Sequence, residues 1–124
     1  MIMLLDSNIF IYAIQPKHEQ LRKWCVGIEI SASDITRLEV FGYHQLAERD
    51  KEDFIKLFAR TEIYPVTKTI IDLGITLRQQ RKISIGDAII AATALKYHEI
   101  LATRNIDDFN WISGLSVIDP FNQS

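Results

Sequence analysis

Three acidic residues and one acidic loop of this 124-residue chain stand where carboxylates can do chemistry. Asp6 ends the run Ile2-Met3-Leu4-Leu5 and is followed by Ser7-Asn8. A short unbroken apolar run reads as a strand buried on both faces. Asp6 is then the first residue past the strand's carboxyl end, the edge at which open α/β sheets bind ligands. Glu39 closes the stretch Ser33-Asp34-Ile35-Thr36-Arg37-Leu38-Glu39, which follows a second short apolar segment. Asp87 precedes Ala88-Ile89-Ile90-Ala91-Ala92-Thr93-Ala94-Leu95, a sequence apolar on nearly every side and therefore a helix of the domain interior. A carboxylate heading such a helix is costly unless it is paired or holds a cation. The acidic loop is Thr103-Arg104-Asn105-Ile106-Asp107-Asp108-Phe109.

Each position also has a purely structural explanation. Asp6 suits the N-cap of a following helix. Thr36-x-x-Glu39 and Ser84-x-x-Asp87 both fit a capping box, and Asp107 fits a solvated loop. The argument for chemistry is convergence. If the strands are parallel, Asp6, Glu39, Asp87 and the loop share one edge of the sheet, and carboxylates gathered there repel one another unless a cation neutralises them. With no cysteine or histidine cluster, an all-oxygen donor set suits Mg²⁺ or Mn²⁺ and not zinc.

The elements that must deliver these groups follow from periodicity. A short helix is expected over Asn8 to about Ala13. A second carries the stripe Leu21, Trp24, Cys25, Ile28, followed by a strand from Ile28 to Ser31. A helix over Ser33 to about Ala47 comes next, then one starting near Asp50 with Phe54, Leu57 and Phe58 inward. Ile63-Tyr64-Pro65-Val66 reads as a brief strand, with Pro65 marking a sheet edge or a strand end. Thr67 caps a helix with Ile70, Leu73 and Leu77 inward. Ser84 begins the helix Ile85 to about Tyr97. Strands at Ile100–Thr103 and Leu115–Ile118 complete the chain. Strands alternating with helices indicate α/β architecture, a small, mostly parallel sheet of about five strands with helices on both faces.

The totals limit the function. The chain is 48% hydrophobic, enough for one domain spanning 1–124, and its formal net charge is −2. A broad basic surface gripping nucleic acid through many phosphates is thereby excluded, although a metal-dependent nuclease brings its own positive charge. Cys25 is the single cysteine, so no intrachain disulfide forms. No run reaches the length of a membrane span. Asp6 and Asn8 interrupt the N-terminal apolar run, so a signal peptide is not expected and a cytoplasmic location is. The histidines have no ligand-like spacing, and His98 suits a helix C-terminus through the dipole.

Four stretches together resemble a known family. They are Leu4-Leu5-Asp6-Ser7-Asn8; Ser33-x-x-Thr36-x-x-Glu39-Val40; Gly86-Asp87-Ala88-Ile89-Ile90-Ala91-Ala92-Thr93-Ala94-Leu95; and Thr103-Arg104-Asn105-x-x-Asp108-Phe109. In order and spacing the chain is similar to the PIN-domain ribonucleases, in particular the VapC-type toxins of toxin–antitoxin modules. The resemblance implies a Mg²⁺- or Mn²⁺-dependent endoribonuclease that forms a homodimer and binds a cognate antitoxin protein. It implies Asp6, Glu39 and Asp87 as catalytic and metal-holding residues, with Ser7, Asn8, Thr36 and Thr103 supporting them. Many members carry a fourth Asp two residues after the threonine matching Thr103, where this chain has Asn105. Either Asn105 or Asp108 fills that position; the expectation is Asn105 at the site, Asp108 bonding loop amides and Phe109 anchoring the loop. RNA contacts are expected from Arg37, Arg104 and the Arg78–Lys82 cluster, the last also explicable as a solvated helix end. Partner contacts are expected from exposed Tyr12, Trp24 and Phe41. The competing readings are a PIN-like binding module with a degenerate site and an aspartate-based phosphohydrolase, which would want a second Asp where Asn8 stands.

Overall fold

In a computed structural model, residues 2–122 are described. Five strands form one sheet: β1 (Ile2–Leu5), β2 (Glu29–Ser33), β3 (Thr61–Tyr64), β4 (Ile100–Ala102) and β5 (Val117–Ile118). Every pairing is parallel, in the order β3-β2-β1-β4-β5. The chain lays β2 and β3 on one side of β1, then crosses to β4 and β5 on the other. The carboxyl ends of β1 and β4 therefore flank the point where the winding reverses, and a crevice opens there.

Helices cover both faces. On one lie α1 (Ser7–Ala13), α2 (Glu19–Val26) and α4 (Glu48–Phe58), whose Ile9, Phe10, Leu21, Cys25, Phe54 and Phe58 pack on Leu5, Ile30, Ala32 and Ala102. On the other lie α5 (Lys68–Gln80), α6 (Ile85–Tyr97) and α7 (Ile106–Phe109), packed on Leu4 and Leu101. Leu4 and Leu5 point to opposite cores, as do Leu101 and Ala102, as the strand period of two demands. Helix α6 is buried along Ala88–Ala94, which is why its sequence shows no polar face.

Helix α3 (Asp34–Phe41) corrects the sequence reading. Its N-cap is Ser33, whose Oγ accepts from the Ile35 amide at 3.2 Å. Thr36 lies inside the helix, so Thr36 and Glu39 do not form a capping box. The helix stops at Phe41, not near Ala47, because Gly42 closes it and the chain turns through Tyr43–Leu46. Strand β2 runs on to Ser33, and α4 starts at Glu48. Strand β3 spans Thr61–Tyr64 and is an edge strand, with Pro65 just beyond it. Tyr12, Trp24 and Phe41 are half-buried against the α1–α2–α4 core and are not exposed. His98 closes α6 in the left-handed conformation, φ 55°. That turn sends the next residue, Glu99, inward, where Ser31 and Tyr64 hydroxyls donate to its carboxylate. This buried acid precedes β4, at the strand's amino end, away from the acidic edge.

Among the described residues no helix is long and apolar enough to cross a membrane.

Candidate functional site

Asp6 leaves β1 at the crevice and is only 4% exposed. It occupies the N-cap of α1, yet its side chain makes no capping hydrogen bond. The carboxylate turns instead across the crevice to β4, where Thr103 Oγ1 donates to Oδ2 at 2.8 Å. The amide of Asn105 donates back to that same threonine oxygen at 3.1 Å, which orients it. Burial raises the Asp6 pKa above the ordinary 3.8, and the Glu39 charge raises it further; Thr103 and the Ser7 and Asn8 amides only partly offset this.

Glu39 is brought in from α3. Ser7 Oγ donates to Glu39 Oε1 at 2.8 Å. With its one proton so used, Ser7 must accept from Thr36 Oγ1, 2.9 Å away. The buried Thr36 thus points Ser7, and Ser7 points Glu39. The other side of the carboxylate lies against the start of α6: a Cβ at Gly86 would come within 3.0 Å of Glu39 Oε2. Glycine there lets the acid of α3 rest beside the helix that carries Asp87.

Asp87 stands in the first turn of α6. Ser84 is the N-cap and accepts from the Asp87 amide at 3.1 Å, so here the expected capping pair does form. It does not exhaust the role of the carboxylate. The Asp87 pKa is raised by burial first, then by the charge of Asp6, with Asp108 adding to it and Ser84 opposing. Electrostatic repulsion therefore links Glu39 to Asp6, Asp6 to Asp87, and Asp87 to Asp108 along the sheet edge.

Asp108 also lines one hollow with Asp87. Its carboxylate makes no hydrogen bond to a loop amide among the described residues, contrary to expectation. The loop is held instead by Phe109, 1% exposed, and by Trp111, whose Nε1 donates to the Asp108 carbonyl at 2.8 Å. Asn105 is exposed at the N-cap of α7, with no side-chain capping bond.

None of the expected cations forms an ion pair with these acids among the described residues, although Arg81 and Lys82 line the hollow that Asp87 and Asp108 share. Arg37 Nε is paired with Asp34 at 2.5 Å. Arg104 lies over Phe121 and Tyr12, 4.3 and 5.3 Å from the ring centroids. Arg78 donates to the Ile83 carbonyl, and Arg81 lies over Trp111. Among the described residues the ion pairs are Lys23–Glu19, Arg37–Asp34 and Lys68–Asp72, so none reaches Asp6, Glu39, Asp87 or Asp108.

Asp6 is buried and Asp87 half-buried, while Glu39 and Asp108 are exposed; a buried carboxylate that faces like charge without an ion-pair partner among the described residues is costly in the ionised form. The donors are all hard oxygen, which fits Mg²⁺ or Mn²⁺. Among the described residues no three acidic, histidine or cysteine groups close into a ready metal cage. Sequence reading did not find Trp111 or the role of Gly86; the signals available were an aromatic residue just after the acidic loop and a glycine just before Asp87.

Comparison with known proteins agrees with this geometry. Residues 3–114 match the family described as PIN domain. No curated protein sequence matches the chain. Among solved structures, a chain of a toxin–antitoxin complex from Klebsiella pneumoniae is 27% identical, with TM-score 0.77 over 95% of this chain and 97% of that one. A chain of VapBC-1 from nontypeable Haemophilus influenzae is 25% identical, with TM-score 0.79 over 98% of this chain and all (100%) of that one. A chain of DNA-bound VapBC from Salmonella typhimurium shares the fold at 22% identity, with TM-score 0.84 over 97% and 99% of the two chains.

Proposed function

We propose, on the premise that this chain belongs to the PIN domain family, that it is a divalent-metal-dependent endoribonuclease and the toxin of a VapBC-type pair, acting in the cytoplasm. The observation that carries the reading is the buried Asp6, linked by charge repulsion to Glu39 and Asp87 with no ion pair among the described residues to offset it. The similarity to chains of toxin–antitoxin complexes supports the toxin assignment and a cognate antitoxin partner.

Asp6 and Asp87 would hold Mg²⁺ or Mn²⁺, with Glu39 completing the set and Asp108, rather than Asn105, as the fourth acidic group. When bound there, such a cation would supply Lewis-acid charge to the phosphate and lower the pKa of a bound water. Thr103 aims Asp6 and favours its ionised form against the effect of burial. Ser7 fixes Oε1 of Glu39, leaving Oε2 free to take a proton from the attacking water. Water adds at phosphorus and one P–O ester bond breaks. The products are a phosphate monoester end and a hydroxyl end, the leaving oxygen regaining a proton. Asn8, exposed beside Asp6, contributes its amide to the carboxylate's field.

The reading is tested with purified protein, free of antitoxin, and total RNA. Cleavage is expected with Mg²⁺ or Mn²⁺ and none in EDTA; undiminished cleavage in EDTA overturns the metal requirement. A homodimer is also part of the proposal. Val26, Leu38, Ile55 and Ile85 are each more than half exposed, apolar surface that association can cover. Light scattering at high protein concentration should give twice the 14.3 kDa chain mass, and a monomeric mass would contradict it.

A further inference from the structure

We infer that the hollow beside Asp87 is a nucleobase subsite, in which one unstacked base of a single-stranded RNA lies on the indole face of Trp111. The inference rests on the nuclease reading above and deepens it. The hollow measures about 300 Å³ and is lined by Arg81, Lys82, Asp87, Asp108 and Trp111 among others. That is the lower end of the range for small-ligand pockets, and suits one nucleotide.

The platform is fixed before anything binds. Trp111 is half-buried, packed on the core that holds Phe109 and Ile112. Its ring nitrogen is tied to the Asp108 carbonyl. The loop that faces it is tied in turn, since Arg78 Nε donates to the Ile83 carbonyl at 3.1 Å. Over the indole lies the Arg81 guanidinium, 5.5 Å from the ring centroid. A face that accepts a flat cation also accepts the flat face of a base. Arg81 is exposed and follows the end of α5, so it can turn aside to a phosphate, with Lys82 beside it.

Asp87 belongs both to this hollow and to the acidic edge. A strand with its reacting phosphate at the carboxylates therefore reaches Trp111 with a neighbouring nucleotide. A duplex cannot do so. Its base faces are covered by their stacked neighbours, and the deep groove of A-form RNA admits no side chain.

The test uses the chain's two tryptophans. In Asp6→Asn/Trp24→Phe protein, RNA survives and Trp111 is the sole indole. A short single-stranded RNA is expected to quench its fluorescence. The same RNA annealed to its complement, and an abasic ribose-phosphate oligomer, are expected to leave it unchanged. In steady-state cleavage by the otherwise native chain, Trp111→Ala should raise KM about tenfold with little change in kcat, and Trp111→Phe should restore most of the loss. Arg81→Ala alters an exposed side chain, cannot unfold the protein, and should raise KM in the same way. Equal quenching by duplex or abasic oligomer overturns the subsite. So does an unchanged KM in both Arg81→Ala and folded Trp111→Ala alongside native kcat, which defeats the subsite while the nuclease reading stands. A native chain that cleaves no RNA with either metal defeats both.

Discussion

Asp6 is the residue at which structural and chemical explanations separate. Its side chain forms no geometrically sound capping hydrogen bond; Oδ2 accepts from Thr103, across the crevice from its own strand, while the nearby Ser7 and Asn8 amides also favour the carboxylate's charge. Asp87 combines both roles, since Ser84 caps the helix while the carboxylate feels Asp6. Asn at either position keeps the shape and the capping ability but removes the charge. Asp6→Asn and Asp87→Asn should therefore lower RNA cleavage by about a hundredfold or more, the scale of removing a group that works on transition-state charge. In EDTA at neutral pH their melting temperatures should equal or exceed that of the native chain, because each substitution removes an anion that burial and like charge disfavour. Retained activity with a lower melting temperature would return both residues to a structural role. Mn²⁺ titration of Asp108→Asn and Asn105→Asp, run alongside, assigns the fourth position: the Asp108 variant should bind more weakly if its charge belongs to the site.

At the scale of elements, the site is a meeting of β1, β4, α3 and α6. Helix α6 and the parallel sheet were legible because their signals are local: a run of small apolar residues after a Ser-x-x-Asp cap, and short apolar strands between helices. The end of α3 was less legible. Thr36-x-x-Glu39 has the spacing of a capping box, but β2 runs two residues further than expected and gives the cap to Ser33. Thr36 is thereby freed to meet Ser7, 29 residues away in sequence, a contact that no local pattern encodes. The placement of Glu39 against Gly86 is equally non-local. It yields a direct test. Gly86→Ala favours helix α6 by roughly 1 kcal/mol in intrinsic propensity. The new methyl meets only the far end of a flexible side chain, so folding should be kept. Glu39 must give by a few tenths of an ångström, however, and cleavage should fall about tenfold, the scale of disturbing the groups that orient a metal site. Circular dichroism and a cleavage assay on the same sample check both halves, and unaltered cleavage would remove Glu39 from the proposed machinery.

For the whole molecule, the acidic edge makes stability depend on pH in the direction opposite to that of a salt-bridged carboxylate. Asp6 and Asp87 have folded-state pKa values above 3.8, from burial first, then from the charge of Glu39 at Asp6 and of Asp6 and Asp108 at Asp87. The folded chain therefore binds more protons than the unfolded chain in the window from about 3.8 up through the raised values. Stability contributed by these two groups is fully present below the unfolded pKa and is lost as pH rises through the folded pKa. Metal-free protein should melt at a higher temperature in mildly acidic buffer than at neutral pH. A divalent cation binds the ionised form and should reverse this, adding most stability at neutral pH and progressively less as the carboxylates protonate. Asp6→Asn should flatten the metal-free profile and weaken the gain from Mn²⁺ together, since both arise from one buried charge. Melting curves across pH, with EDTA and with Mn²⁺, separate this from an ordinary acid-labile fold, which would lose stability on acidification in both buffers.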